Sequence, residues 1–171
     1  MEPTIKKIKV VSKEKEDYVQ KPIRINFYGQ NNVFGYFSNF SNHPIEIDGS
    51  TWPTSEHYFQ AQKFDDKDYR EEIRLALNPT SAKKMGQSRK YPIKTNWEDI
   101  KDKVMLDALR AKFTQHKNLK SLLMGTKDAY LSEHTKNDKY WGDGGDDSGK
   151  NKLGILLMEL RSELAKDHSE I

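Results

Sequence analysis

The stretch Thr51–Phe64, TWPTSEHYFQAQKF, carries the residues best spaced for chemistry. Glu56, Gln60 and Lys63 stand at i, i+4 and i+7, so a helix puts a carboxyl, an amide and an amine on one face. Glu56 and Lys63 are then about 10 Å apart along the axis, too far to pair directly. A polar face of this kind can line a ribose-phosphate site. The residues alone leave a second reading open, an ordinary amphipathic helix whose first-turn acid suits the helix dipole. His57 adds little, because the second histidine of an HExxH metal pair is missing.

The second stretch is Asn137–Asn151, NDKYWGDGGDDSGKN. Its glycines let backbone approach a ligand closely, and Asp138, Asp143, Asp146 and Asp147 offer carboxylates. The ligand order of a calcium-binding EF-hand, with its closing glutamate, is absent. Gly144–Lys150, GGDDSGK, fits the first seven positions of a P-loop. Asn151 then stands where Ser or Thr must hold magnesium, and two aspartates inside the loop would repel a triphosphate, so a nucleotide-hydrolase reading is rejected. Lys150 and the helix start after Asn151 remain candidates for a single phosphate. A third stretch, VFGYFSNF, supplies Phe34, Tyr36, Phe37 and Phe40. These aromatics either stack on a base, with Asn39 bonding its edge, or simply cover the helices. Trp97 and Trp141 are further stacking candidates.

The elements that must position these residues are legible in outline. Residues 1–22 read as a charged tail ending at Pro22, and residues 167–171 as a short C-terminal tail, leaving one domain over 23–166. Ile23, Ile25 and Phe27 alternate with polar residues and predict a strand over 23–28. Residues 45–48 alternate likewise and meet Asp48-Gly49, a turn dipeptide, with Thr51 and Trp52 beginning a return strand. Pro53 and Thr54 mark the start of the Glu56 helix, with Thr54 as its cap. A helix over 66–77 is stopped by Asn78-Pro79, and a short one over 79–85 ends at Gly86. Asn96 caps a longer helix with Asp99 in its first turn. The apolar stripe of that helix is Trp97, Ile100, Val104, Ala108 and Ala111. Helices over 118–124 and 153–165 close the chain. Strands early and helices later predict a single α+β domain, mainly helical, with a small N-terminal β-sheet.

Composition sets the outer bounds. The chain has 171 residues, enough for one domain with its own core. It has no cysteine, which excludes disulfides, thiolate metal sites and a thiol nucleophile. The net charge of +3 is too small to argue for nucleic acid by itself. Mean hydropathy is −0.94, with no apolar run of membrane-spanning length and no signal peptide pattern. A cytoplasmic protein without a membrane partner is the expectation.

At these residues the chain resembles the NADAR family, and within it the YbiA-like group. The resemblance rests on FYGQNNVFGYFSNF, DGSTWPTSEHYFQAQKF, KNLKSLLMGTKDAYLSEHTKNDKYWGDGG and GKNKLGILLMELRSEL, in that order, over about residues 25–165. It implies an N-glycosidase that cuts the C–N bond between a phosphorylated ribose and a base-like heterocycle. The YbiA-like group is linked to ribosylamino-pyrimidine phosphates, intermediates of riboflavin synthesis. Other NADAR proteins remove ADP-ribose from guanine bases, so ADP-ribosyl-guanine in DNA or nucleotides is the alternative substrate, and a non-catalytic ADP-ribose reader is the alternative class. The resemblance makes Glu56 the favoured catalytic group, with Asp143 or Asp138 sharing acid–base work or holding ribose hydroxyls. Trp97 and Trp141 would wall the base or sugar, aided by Asn39 and Phe40, and Lys63, Arg89, Lys150 and Asn151 would receive phosphate. The chemistry needs no metal and no cofactor, and none is expected.

Overall fold

A computed structural model describes residues 22–167; the expected tails lie outside them, apart from Pro22 and Asp167. In chain order the elements are β1 (Arg24–Phe27), a single 3-10 turn (Gly35–Phe37), β2 (Ile45–Ile47), β3 (Ser50–Trp52), α1 (Ser55–Ala61), α2 (Lys67–Arg74), α3 (Pro79–Gln87), α4 (Trp97–Gln115), α5 (Lys117–Gly125), β4 (Tyr130–Glu133) and α6 (Lys152–Asp167). The domain is α+β and mainly helical, as the sequence implies. Among the described residues no helix is long and apolar enough to cross a membrane.

The β2–β3 hairpin follows from its turn. Asp48 and Gly49 both take positive φ, 52° and 76°, between the paired Ile47 and Ser50. Two consecutive left-handed residues make the turn whose twist matches a hairpin. The other sheet departs from expectation. β1 pairs in parallel with β4, running from Arg24 against Tyr130 to Phe27 against Glu133. The sheet is therefore not purely N-terminal: its second strand arrives more than a hundred residues later, after five helices. β4, YLSE, buries Leu131 and Ser132 side by side, so it shows no apolar–polar alternation to mark it in the sequence.

The helix starts obey their caps. Thr54 Oγ1 accepts from His57 N at 3.3 Å, Asp66 Oδ1 from Tyr69 N at 2.8 Å and Asn78 Oδ1 from Ser81 N at 2.9 Å, each holding an otherwise orphaned amide. Asn96 occupies the cap position of α4 without a side-chain bond; its carbonyl accepts from Asp99 N and Ile100 N instead. α2 ends at Arg74, three residues before the expected limit, and α3 runs through Gly86 to Gln87 rather than ending at that glycine.

α4 lies between two apolar clusters. Val104, Ala108 and Ala111, from the expected stripe, face the cluster built on Ile45, Trp52, Phe64 and Ile73. Met105, Leu109 and Phe113 face the other, built on Phe27, Phe37, Leu131 and the leucines of α6. A helix covered on both sides has no single stripe, so four of its six buried residues, Met105, Leu109, Lys112 and Phe113, escape a search for one face.

Candidate active site

α1, α3, the 38–40 segment and the chain leaving β4 meet around a cavity of about 160 Å³. Its lining includes Ser38, Asn39, Phe40, Glu56, Phe59, Gln60, Lys63, Lys83, Gln87, Met105, Glu133, Asp138 and Trp141. Six of the expected site residues are brought together here: Glu56, Asp138, Trp141, Asn39, Phe40 and Lys63. Glu133 and Lys83 were not anticipated. Glu133 stands at the end of β4, the strand without a sequence signal. Lys83 sits on α3 among several ordinary-looking lysines, with its amine 5.7 Å from the Phe40 ring centroid.

Glu56 is buried in the first turn of α1. Its Oε1 accepts from Gln60 Nε2 at 2.6 Å, the i to i+4 pairing that the spacing permits. Burial pushes its pKa up, against the opposing pull of the Gln60 donor and the charges of Lys83 and Lys63. Glu133 is raised as well: burial, then the nearby charges of Asp138 and Glu56, bring it to about 8. Lys63 is lowered, first by burial and then by Arg89 and Lys83, while Glu56 works to raise it. Its amine reaches the Gly86 carbonyl at 3.4 Å. The cavity thus holds carboxyls from Glu56, Glu133 and Asp138 together with amines from Lys63 and Lys83. Asp138 is fixed by its own turn, its Oδ1 accepting from Tyr140 N and Trp141 N, both at 2.8 Å.

The aromatic side is layered. Phe40 and Trp141 line the cavity. Phe59 lines it too and packs edge-on against Trp141, ring centroids 5.2 Å apart. Of the other aromatics in the 34–40 segment, Phe37 is fully buried, and Phe34 and Tyr36 pack on the core, so covering the helices is the role of those three. Asn39 is held from both ends, accepting from Ser55 Oγ at 2.9 Å and directing its amide to Met105 Sδ. Beneath it Lys112, also unanticipated and fully buried, donates to the Ser38 carbonyl at 2.8 Å, and burial brings its pKa down to about 7.

Five expected residues lie outside this lining. Trp97 is 6% exposed and stands behind Phe59, 5.2 Å between ring centroids, so it supports the wall rather than forming it. Asp143 faces away, into the glycine-rich loop. Its Oδ2 takes bonds from Arg24 (3.0 Å), Ser132 (2.9 Å) and His134 (2.8 Å), and its Oδ1 from the amides of Thr135 (3.2 Å) and Gly145 (2.8 Å). Burial works to raise its pKa, but the donors from His134, Gly145 and Ser132 outweigh it and bring it down to about 2. Asn151 spends its side chain on β4, accepting from Glu133 N and donating to Leu131 O, both at 2.9 Å. The same Nδ2 also donates to Tyr130 Oη at 3.1 Å, so both donors of the side-chain amide are used. Lys150 lies over the Tyr140 ring at 5.1 Å, and Arg89 is exposed and bonded to the carbonyls of Gln87 and Ser88.

The NADAR domain model matches residues 26–165. The N-glycosidase YbiA of Escherichia coli (strain K12) is 56% identical over 155 residues, covering 91% of this chain and 97% of that protein. The N-glycosidase Npun_R5314 of Nostoc punctiforme is 36% identical over 143 residues, 82% of this chain and 92% of that one. Riboflavin biosynthesis protein PYRR, chloroplastic, of Zea mays is 38% identical over 177 residues, which span 95% of this chain and 28% of that protein. The NMR structure of the E. coli protein YbiA superposes with a TM-score of 0.83 at 55% sequence identity, over 92% of this chain and 94% of that one.

Proposed function

The chain belongs to the NADAR domain family and is a hydrolase of N-glycosyl bonds, and from that premise we propose that its substrate is a ribosylamino-pyrimidine phosphate of the kind formed early in riboflavin synthesis. The observation that carries this reading is one small cavity furnished with carboxyls, amines and aromatic faces together. These match the three parts of such a molecule: a reacting C1′–N bond, a 5′-phosphate and a heterocycle. The volume of about 160 Å³ lies below the ~300–1,000 Å³ typical of pockets that engulf larger ligands. It matches a ribose and its immediate substituents, the part that both candidate substrates share. The Zea mays relative, named for riboflavin biosynthesis, adds support.

In this reading Glu133, kept protonated to about pH 8, gives its proton to the leaving nitrogen as the C1′–N bond breaks. Glu56, with a hydrogen-bond donor and two amines in reach, is the carboxyl that ionises. It supports the positive charge developing at C1′ and orients the water that attacks there. The water's hydroxyl joins C1′, its proton passes to Glu56, and the products are ribose 5-phosphate and the free amino-pyrimidine. Asp138, with one oxygen committed to its turn, holds a ribose hydroxyl with the other. Lys63 and Lys83 take the phosphate, and Phe40 and Trp141 flank the ring.

The test pairs wild type with Glu56→Gln in two tubes, one with freshly made ribosylamino-pyrimidine phosphate and one with an oligonucleotide carrying ADP-ribosyl-guanine, products read by mass spectrometry. Ribose 5-phosphate release in the first tube, lost in Glu56→Gln, is the expected result. Restoration of unmodified DNA in the second tube alone replaces the substrate class. Binding without cleavage in either tube makes the chain a reader.

A further inference from the structure

Gly86 lies inside α3, where glycine weakens a helix relative to alanine. What faces it accounts for its presence. A Cβ at this position would come within 1.9 Å of Gln60 Oε1, 2.7 Å of its Cδ and 2.9 Å of its Cβ. An exposed side chain would swing away from such a contact, but Gln60 is 4% exposed and its own Cβ is part of the clash. The Gln60 amide is used unevenly. Its Nε2 donates to Glu56, whereas its Oε1, pressed against Gly86, has no hydrogen-bond partner among the described residues. Buried amides ordinarily pair both ends. Here the fit against the bare α3 backbone accompanies a loss at the oxygen and keeps the nitrogen on Glu56.

We propose that Gln60 is a positioning residue for Glu56, and that the missing Cβ of Gly86 is what lets its amide sit with the donor end toward the carboxyl. The proposal rests on the reading of Glu56 as the reacting carboxylate. A fixed N–H on Oε1 orients the carboxyl, leaves Oε2 for water and C1′, and favours the ionised form against burial. The same peptide unit serves the cation side, since the Gly86 carbonyl takes the Lys63 amine. The other charged groups around Glu56 are Lys83 from α3, Glu133 from the end of β4 and Asp138 from the loop after it.

The test reads Glu56 directly, by carboxyl NMR titration of full-length protein containing carbon-13-labelled glutamate, with the Glu56 signal assigned from its loss in Glu56→Gln. Removing a donor from the ionised form raises the pKa. Gln60→Met, which keeps the bulk, and Gly86→Ala, which evicts the amide, should each move the Glu56 midpoint up by about one pH unit. The acid limb of kcat/KM should move in the same direction. In a Gln60→Ala background, adding Gly86→Ala should leave the midpoint where it is. An unmoved midpoint in both single variants overturns the proposal, as does a Gly86→Ala shift that survives in the Gln60→Ala background. Full turnover in Glu56→Gln instead overturns the functional reading and leaves the titration result standing.

Discussion

Glu56 and Asp143 are withdrawn from water to almost the same degree, 5% and 2% exposed, yet their pKa values are driven in opposite directions. Asp143 is met by five donors, three from side chains and two from backbone amides. Glu56 has a single amide donor at hydrogen-bond distance and shares its cavity with two further carboxyls. Low exposure alone therefore does not decide what a carboxyl does; the donors aimed at it, set against its desolvation, do. The saturated group ties Arg24 of β1 to the loop after β4 and has no lone pair to spare for substrate. The unsaturated one keeps an oxygen to which no donor is bonded among the described residues.

The sharpest way to break this contrast is to remove each charge in turn. Glu56→Gln should cost roughly 10²–10⁴-fold in kcat, a range set by general acid–base and electrostatic contributions, with the melting temperature nearly unchanged. Asp143→Asn should lose roughly 2–4 kcal/mol in denaturant unfolding, because donors are left facing an amide, while the folded fraction keeps its kcat. A stable but inactive Asp143→Asn would return that residue to the chemistry.

A smaller and more specific effect lies in the pH dependence of stability. The folded pKa of Asp143 is depressed from 3.8 to about 2, so its contribution is present above its unfolded value and lost as pH falls through about 2. Glu133 is raised from 4.5 to about 8, so folding is favoured while it is protonated and that contribution is lost as pH rises from about 4.5 through 8. Thermal melts should show Glu133→Gln gaining on wild type as pH climbs from 5 to 8, while Asp143→Asn flattens the acid side. A constant difference between Glu133→Gln and wild type across that range would remove Glu133 from the role of proton donor. The smallest effect belongs to the cations. Lys83→Met should raise KM about tenfold with little change in kcat, the mark of lost ground-state binding. Lys150→Met, outside the cavity, should leave both constants alone.

What the sequence made legible was local. The Asp48-Gly49 turn, the Thr54 cap and the Glu56–Gln60 spacing are decided within a few residues, and each appears where its chemistry puts it. Asp143 and Trp97 show where that ends. Both belong to recognisable motifs, but whether a motif residue faces a cavity or props up its wall depends on partners far along the chain: Arg24 for the one, Phe59 for the other. Glu133 and Lys83 lacked any local signal, one on a four-residue strand and one on an ordinary helix face. Gly86 read as a helix stop because glycine usually is one. The reason it is not lies in Gln60, twenty-six positions earlier.

The parallel pairing of β1 with β4 also sets when this molecule can work at all. Contacts between segments so distant in the chain form late, because a large loop must close before they repay its entropy. On the ribosome, α1 and the hairpin before it emerge well ahead of β4, and Asn151, whose side chain pins β4, follows later still. A nascent chain thus presents Glu56 without Glu133, Asp138 or Trp141 beside it. Competence for the reaction therefore waits for the segment from β4 to Asn151.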